Sequence, residues 1–185
     1  MPDFSSARVL TIGHSTHPID VFLLLLARHG VQVLADVRRH PGSRAQPQFN
    51  PEPLRAALTR AAIEYAGFEA LGGRRRPRAD SRNTRWRNAS FRGYADYMET
   101  SEFSAALARL TALADARRTA IMCAEALWWR CHRALIADAL QAGGRPVTHI
   151  QPDGTLIAHP YTPAAWLDRG RLRYDDEPGQ STLPL

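Results

Sequence analysis

The sequence predicts an α/β fold: a single three-layer domain over residues 1–185, built on a mainly parallel five-stranded sheet with helices on both faces and a C-terminal β-hairpin. Three observations predict it. Short apolar runs alternate with longer segments whose apolar residues recur at helical spacing, as βα units require. Gly and Pro fall between the two kinds of segment, where the chain must turn. A chain of 185 residues has the length of one domain and can bury a substantial core.

Residues 8–13 (RVLTIG) read as a buried strand. Pro18 suits the first turn of a helix, and Gly30 stops it. Between them, residues 21–27 are apolar all round, which predicts a helix buried on more than one side. Ser15 and Thr16 are candidates to cap it. Residues 31–37 form the second strand, Asn50 caps a helix opened by Pro51 with Leu54 and Leu58 on one face, and residues 63–68 form the third strand. Residues 69–90 carry no periodicity, and a loop of that length is as a rule functional or disordered. Helices follow at 91–100 and 101–116, the second with the stripe Phe103, Leu107, Leu110 and Leu113. Residues 119–124 are the fourth strand, 131–141 a helix closed by Gly143 and Gly144, and 147–151 the fifth strand. Pro152-Asp153-Gly154 turns that strand into 155–158 as a hairpin. The polar stretch 175–185 is expected to be a loose tail.

Apolar content of 44% and charged content of 23% belong to a globular chain and exclude a disordered one. The start, MPDFSSARVLTIG, lacks a basic segment followed by a long apolar run, and the longest oily segment is far too short to span a bilayer. A cytoplasmic protein with no membrane partner is the expectation. Two cysteines in a reducing compartment form no disulfide framework; they are catalytic, metal-binding or structural. The net charge of +6 is carried entirely by arginine on the basic side, with no lysine. Between Arg74 and Arg92 eight arginines face one acid, Asp80, giving that stretch +7, while the remaining 16 arginines and 17 acids leave −1. The basicity is local, and a local cluster attracts phosphates better than diffuse charge does.

In open parallel sheets ligands gather at the carboxyl ends of the strands. The polar residues that follow the strands here are His14 and Ser15, then Asp36, Arg38 and Arg39, then Glu125, and finally His149. Most telling is CAEALWWRCHR at 123–133. Cys123 ends a strand, with Glu125 on the same side in extended chain as a proton carrier. Cys131, His132 and Arg133 open a helix, whose start holds anions and lowers a thiol's pKa, aided by Arg130 and Arg133. The bland alternative for each cysteine is a small buried hydrophobe. As a metal site, Cys123, Cys131 and His132 with His14 or His149 are disfavoured, because successive helix residues point about 100° apart and the spacing fits no zinc pattern. No metal or cofactor is assigned. Asp36 and Arg38 could bind a sugar hydroxyl and a phosphate, or form a buried salt bridge. In the arginine loop, Trp86, Phe91 and Tyr94 interleave with Arg74, Arg75, Arg76 and Arg92, a mixture suited to single-stranded nucleic acid or to a solvated surface. Trp128 and Trp129 either pack as a lid or stack on a ligand.

The blocks TIGHST (11–16), ADVRRHPGS (35–43), LGGRR (71–75), FRGYADYM (91–98), C-A-E-(x)5-C-H-R (123–133) and VTHI (147–150) together resemble the domain of unknown function 488 family over roughly residues 8–150. The resemblance implies a compact α/β domain with Cys123, Glu125, Cys131, His132, Arg133, Asp36, Arg38 and Arg39 at the family's motif positions. Many relatives carry polar residues, proline or acids between the cysteines, where this chain has Leu127, Trp128 and Trp129. The expected function is an enzyme, hydrolase or group transferase, on a phosphate-bearing nucleotide or nucleic acid. His14, Ser15, Arg38, Arg39 and Arg133 would hold substrate; Cys123 or Cys131 would be nucleophile, and Glu125, Asp36 or His132 would move protons. The alternatives are a non-catalytic nucleic-acid binder using the arginine loop, and a thiol redox protein.

Overall fold

The computed structural model describes residues 8–176. Five parallel strands, β1 (Val9–Gly13), β2 (Val33–Asp36), β3 (Glu64–Gly67), β4 (Thr119–Cys123) and β5 (Val147–Ile150), form one sheet. The expected hairpin adds β6 (Leu156–Ala158) antiparallel to β5, so the sheet has six strands in the order β3-β2-β4-β1-β5-β6. Every residue of β1, β2, β4 and β5 is buried, as a sheet covered on both faces demands. Side-chain alternation divides them. Leu10, Ile12, Leu34, Ala120 and Met122 pack against α1 (Ile19–Arg28) and α2 (Pro51–Arg60). Val9, Ala35, Ile121 and Cys123 pack on the other face against α3 (Ala89–Met98), α4 (Ser101–Ala116) and α5 (Arg133–Ala142).

Several expectations need correction. The first helix is buried on one side only: Phe22, Leu25 and Leu26 are inside, but Leu24 is 69% exposed and Val21 38%. The sheet lies against a single stripe of it, and among the described residues nothing covers the other. Neither Ser15 nor Thr16 caps that helix; Pro18 occupies the N-cap position. Asn50 does precede α2 as its N-cap, yet its side-chain oxygen accepts from the Ser43 N–H rather than from the helix. The last helix begins at Arg133, with His132 as N-cap and Cys131 extended ahead of it. A second hairpin, β7 (Trp166–Asp168) and β8 (Arg171–Arg173), went unread in the sequence. Its turn, Arg169-Gly170, has positive φ at both positions (48° and 81°). Arginine in place of the usual Asn or Asp hides that turn signal. The expected tail lies, for 177–185, outside the described residues.

The loop 69–90 is irregular after one 3-10 turn at Glu69–Leu71, and α3 anchors it. The Asp96 carboxylate accepts from the Ser81 hydroxyl (2.6 Å), the Asn83 amide (2.8 Å) and the Arg78 backbone N–H (2.8 Å). Glu99 adds an ion pair to Arg78 at 2.5 Å.

Among the strands, β1 and β4 are neighbours whose connections leave toward opposite faces, α1 on one and α5 on the other. That divergence opens a crevice at their carboxyl ends. Register places Gly13 beside Cys123, and Asp36 beside Met122. The ends of β2, β4 and β1 therefore share one rim.

Candidate active site

Cys123, the last residue of β4, and Cys131, which precedes α5, are 8% and 4% exposed and line a cavity of about 410 Å³. Their sulfurs and a His132 ring nitrogen lie within 4.8 Å of one another. His132 Nε2 meets the Val37 carbonyl at 3.2 Å and so carries a proton there, which leaves Nδ1 facing the Cys131 sulfur at 3.6 Å. Cys131 and His132 can both point inward because Cys131 lies outside the helix, so the 100° separation expected of helix neighbours does not apply.

The two thiols divide in character. Burial pushes the Cys131 thiol up, but the hydrogen bond from Cys123, the charge and hydrogen bond of His132, and the Arg133 charge outweigh it and hold it well below the ordinary thiol range. Cys123 moves the other way: its hydrogen bond to Cys131 and its burial push it well up. Between the two, the surroundings favour ionisation at Cys131 over Cys123.

Arg133 is not at the surface of this pocket. It is 1% exposed, tucked behind the 124–130 loop, where it donates to the backbone carbonyl of Glu125, and its Nε finds no partner among the described residues. Among the described residues no carboxylate is among its hydrogen-bond partners, and its charge favours ionisation of the nearby Cys131 thiol. At the α5 start the Ala134 and Leu135 N–H groups donate to the Cys131 and His132 carbonyls and are not free for an anion.

The cationic wall of the cavity comes instead from Arg38, Arg39, Arg74 and Arg130. Arg38 is positioned with care. It forks onto both oxygens of Asp36, Nε at 2.8 Å and Nη2 at 2.6 Å, and also reaches the Phe49 carbonyl and His14 Nε2. Asp36 further accepts from the Arg38 backbone N–H and the Tyr65 hydroxyl. With its lone pairs so occupied, Asp36 is a positioning residue here rather than a proton carrier. His14 stacks on Phe49 at 4.2 Å and donates from Nδ1 to the Ser15 carbonyl. Burial lowers its pKa to about 4, so it is neutral and accepts from Arg38. Ser15 contributes a backbone N–H to the Ala124 carbonyl, with no side-chain role in the pocket wall. Arg39, exposed, donates to the Arg74 carbonyl at 3.2 Å. Glu125 is exposed and is among the residues that line the pocket beside Cys123.

Of the other expected partners, Arg74, Phe91 and Tyr94 line the same cavity and the rest sit elsewhere. His149 bonds Thr11 (2.6 Å) and His159 (2.9 Å), and His159 bonds Asp138 (3.0 Å), all buried. Trp128 stacks on His149 at 4.2 Å. It is packed inward as a brace for the 124–130 loop, and Trp129 is left 48% exposed. With His14 and His149 both engaged away from the sulfurs, neither supplies a fourth ligand to the Cys123, Cys131 and His132 group; those three alone could offer donors to a soft cation. Of the loop residues, Arg75 lies over the Tyr97 ring at 3.5 Å, Arg92 donates to the Trp86 carbonyl, and Trp86 stacks on Phe91. Tyr94 is buried with its hydroxyl on the Leu71 carbonyl. Arg74 and Arg76 remain exposed.

Sequence reasoning missed His40, Gly73, Asn88 and Ser90, which also line the cavity. Gly73 had a legible signal, the Gly-Gly pair ahead of the arginines. A Cβ at Gly73 would meet His132 Nδ1 at 2.7 Å, so the backbone there must pass directly over the imidazole.

The sequence model of Domain of unknown function DUF488 matches residues 18–140. The chain belongs to this family. The DUF488 match takes in the Cys123–Arg133 segment and the arginine loop, and is narrower than the span of blocks suggested, since 11–16 and 147–150 fall outside it. No curated protein and no solved structure matches the chain. Among the described residues no helix is long and apolar enough to cross a membrane. The DUF488 name states no activity, so the side chains must carry the functional argument.

Proposed function

We propose that this DUF488 protein is a thiol-dependent enzyme that cleaves or transfers a phosphate-bearing group of a nucleotide or nucleic acid. The observation that carries the reading is the placement of the Cys131 sulfur, 3.6 Å from His132 Nδ1, in a cavity whose lining includes four arginines. A phosphate seated against Arg38, Arg39, Arg74 and Arg130 brings its phosphorus toward the Cys131 sulfur. The S–P bond forms as the bond to the leaving oxygen breaks, and that oxygen takes a proton from Glu125. Glu125, now a carboxylate, deprotonates the water or acceptor hydroxyl that attacks phosphorus and releases the sulfur. His132 holds the thiolate, Arg133 compensates it from below, and Asp36 with His14 fixes the Arg38 fork.

The test is turnover of nucleoside monophosphate esters and short oligonucleotides. Cys131→Ser is expected to lose at least a hundredfold in kcat, and Arg39→Ala or Arg130→Ala to act mainly on KM. Inorganic phosphate is expected to protect Cys131 from iodoacetamide. Full turnover by Cys131→Ser would overturn the reading. The exposed Arg74 and Arg76 favour polynucleotides over monomers. Oligonucleotide affinity should therefore fall steeply with salt, with a slope reduced by about one for each of these arginines that contacts phosphate and is replaced by alanine. If binding survives loss of both cysteines and no substrate turns over, the protein is a binder and not an enzyme.

A further inference from the structure

We propose that Cys123 and Cys131 form a reversible disulfide under peroxide, and that this bond switches the site off. The inference rests on the reading of Cys131 as nucleophile. Geometry supports it on three counts. The two sulfurs lie within 4.8 Å of one another, and a disulfide bond is about 2.05 Å long, so the gap to close is under about 3 Å. Both thiols line the same cavity of about 410 Å³, which admits a molecule as small as hydrogen peroxide. They also differ in freedom to move. Cys123 is pinned in the sheet, paired with Gly13 of β1. Cys131 lies outside sheet and helix, in the link between the 3-10 turn Trp128–Arg130 and α5, with no strand pairing to hold it.

The chain has two cysteines in all, so a sulfenic acid formed at one has a single intramolecular partner. In the first step the Cys131 thiolate attacks one peroxide oxygen, the O–O bond breaks, and Cys131–SOH and hydroxide result. In the second step the Cys123 sulfur attacks the sulfenic sulfur. The S–O bond breaks, the leaving hydroxide takes up the Cys123 proton as water, and the S–S bond forms. A thiolate and a thiol are oxidised to the disulfide, one peroxide is reduced to one water and one hydroxide that takes its proton from solvent, and an external dithiol reverses the bond by exchange. The nucleophile is absent in the oxidised form, and Cys123 protects it from irreversible oxidation.

Trypsin reads the bond directly. Cleavage after Arg118, Arg130 and Arg133 separates Cys123, in peptide 119–130, from Cys131, in peptide 131–133. After mild hydrogen peroxide the folded protein is expected to yield these two peptides covalently joined, with the mass of their sum less two hydrogens, and dithiothreitol to release them. Cys123→Ser, treated alike, is expected to carry two or three added oxygens on peptide 131–133, as sulfinic or sulfonic acid, that dithiothreitol does not remove. Oxygen added to Cys131 of the unaltered protein with no joined peptides would overturn the proposal, and so would the absence of any change. The mass measurement is independent of turnover. Joined peptides with full activity in Cys131→Ser would sink the catalytic reading and the off-switch while leaving the bond. Separate peptides with an inactive Cys131→Ser would sink the switch alone.

Discussion

At the scale of residues, the site depends on a few contacts whose loss has a definite sign. Gly73 lies against His132, and in Gly73→Ala the added methyl must displace the imidazole from the Cys131 sulfur. The thiolate then loses a partner, and the inflection in the pH profile of Cys131 alkylation is expected to move up toward the ordinary thiol value of about 8.5. An unmoved inflection would show that His132 does not hold the thiolate. Asp36→Asn removes the charge that Arg38 forks onto while leaving that guanidinium buried. Breaking a buried pair from one side costs about 3 kcal/mol, to be read from urea unfolding, because the remaining ion is uncompensated. That Cys131, His132 and Arg38 would come to one cavity was legible because few other roles bring cysteine, histidine and arginine together at strand ends. What Arg133 does was not legible. Its guanidinium turns back beneath the loop onto a main-chain carbonyl, a direction set by helix rotation and loop closure rather than by local sequence.

At the scale of elements, Asp138 on α5 is the latch that holds the segment after β6. Its carboxylate accepts from His159, from both the N–H and the hydroxyl of Thr162, and from the Tyr174 hydroxyl just beyond β8. Four donors on one buried carboxylate make it costly to neutralise. Asp138→Asn is expected to destabilise the fold by about 3 kcal/mol and to expose residues 160–176 to limited proteolysis while the sheet stays resistant. Uniform resistance would mean that β7 and β8 are held by other contacts. Short chain-reversing segments of this kind leave little trace in periodicity. The three-residue strands β7 and β8 offer too few positions for alternation to register. By contrast α4, with sixteen residues and a repeating apolar stripe, was read to the residue.

At the scale of the whole molecule, acid should weaken the fold through its buried histidines. Burial lowers the pKa of His14 to about 4 and that of His149 further, so each stays neutral when folded while the unfolded chain takes up protons below about pH 6.5. The unfolded state then binds more protons, and stability falls as pH drops from about 6.5 toward the folded values. The urea midpoint is expected to decline across that window, less so in His14→Gln. A midpoint independent of pH there would place both imidazoles in a polar, proton-accepting setting. Packing also decides the fate of the arginine loop. Asp96 and Glu99 on α3 hold it in place, and its aromatic residues turn into the protein and leave arginine on the surface.

The amino-acid order by itself determined the layers, the parallel sheet and the rim where strands deliver their polar residues, because burial on both faces and turn chemistry are local properties of short segments. Tertiary packing alone decided which of those residues face the cavity. Divergent crossovers on either side of β1 and β4 open the crevice, and the coordinates of distant loops then set which arginine reaches it, which is buried beneath it, and which sulfur gives up its proton. Charge and burial at a point depend on everything folded around it, and no single stretch of chain contains that information.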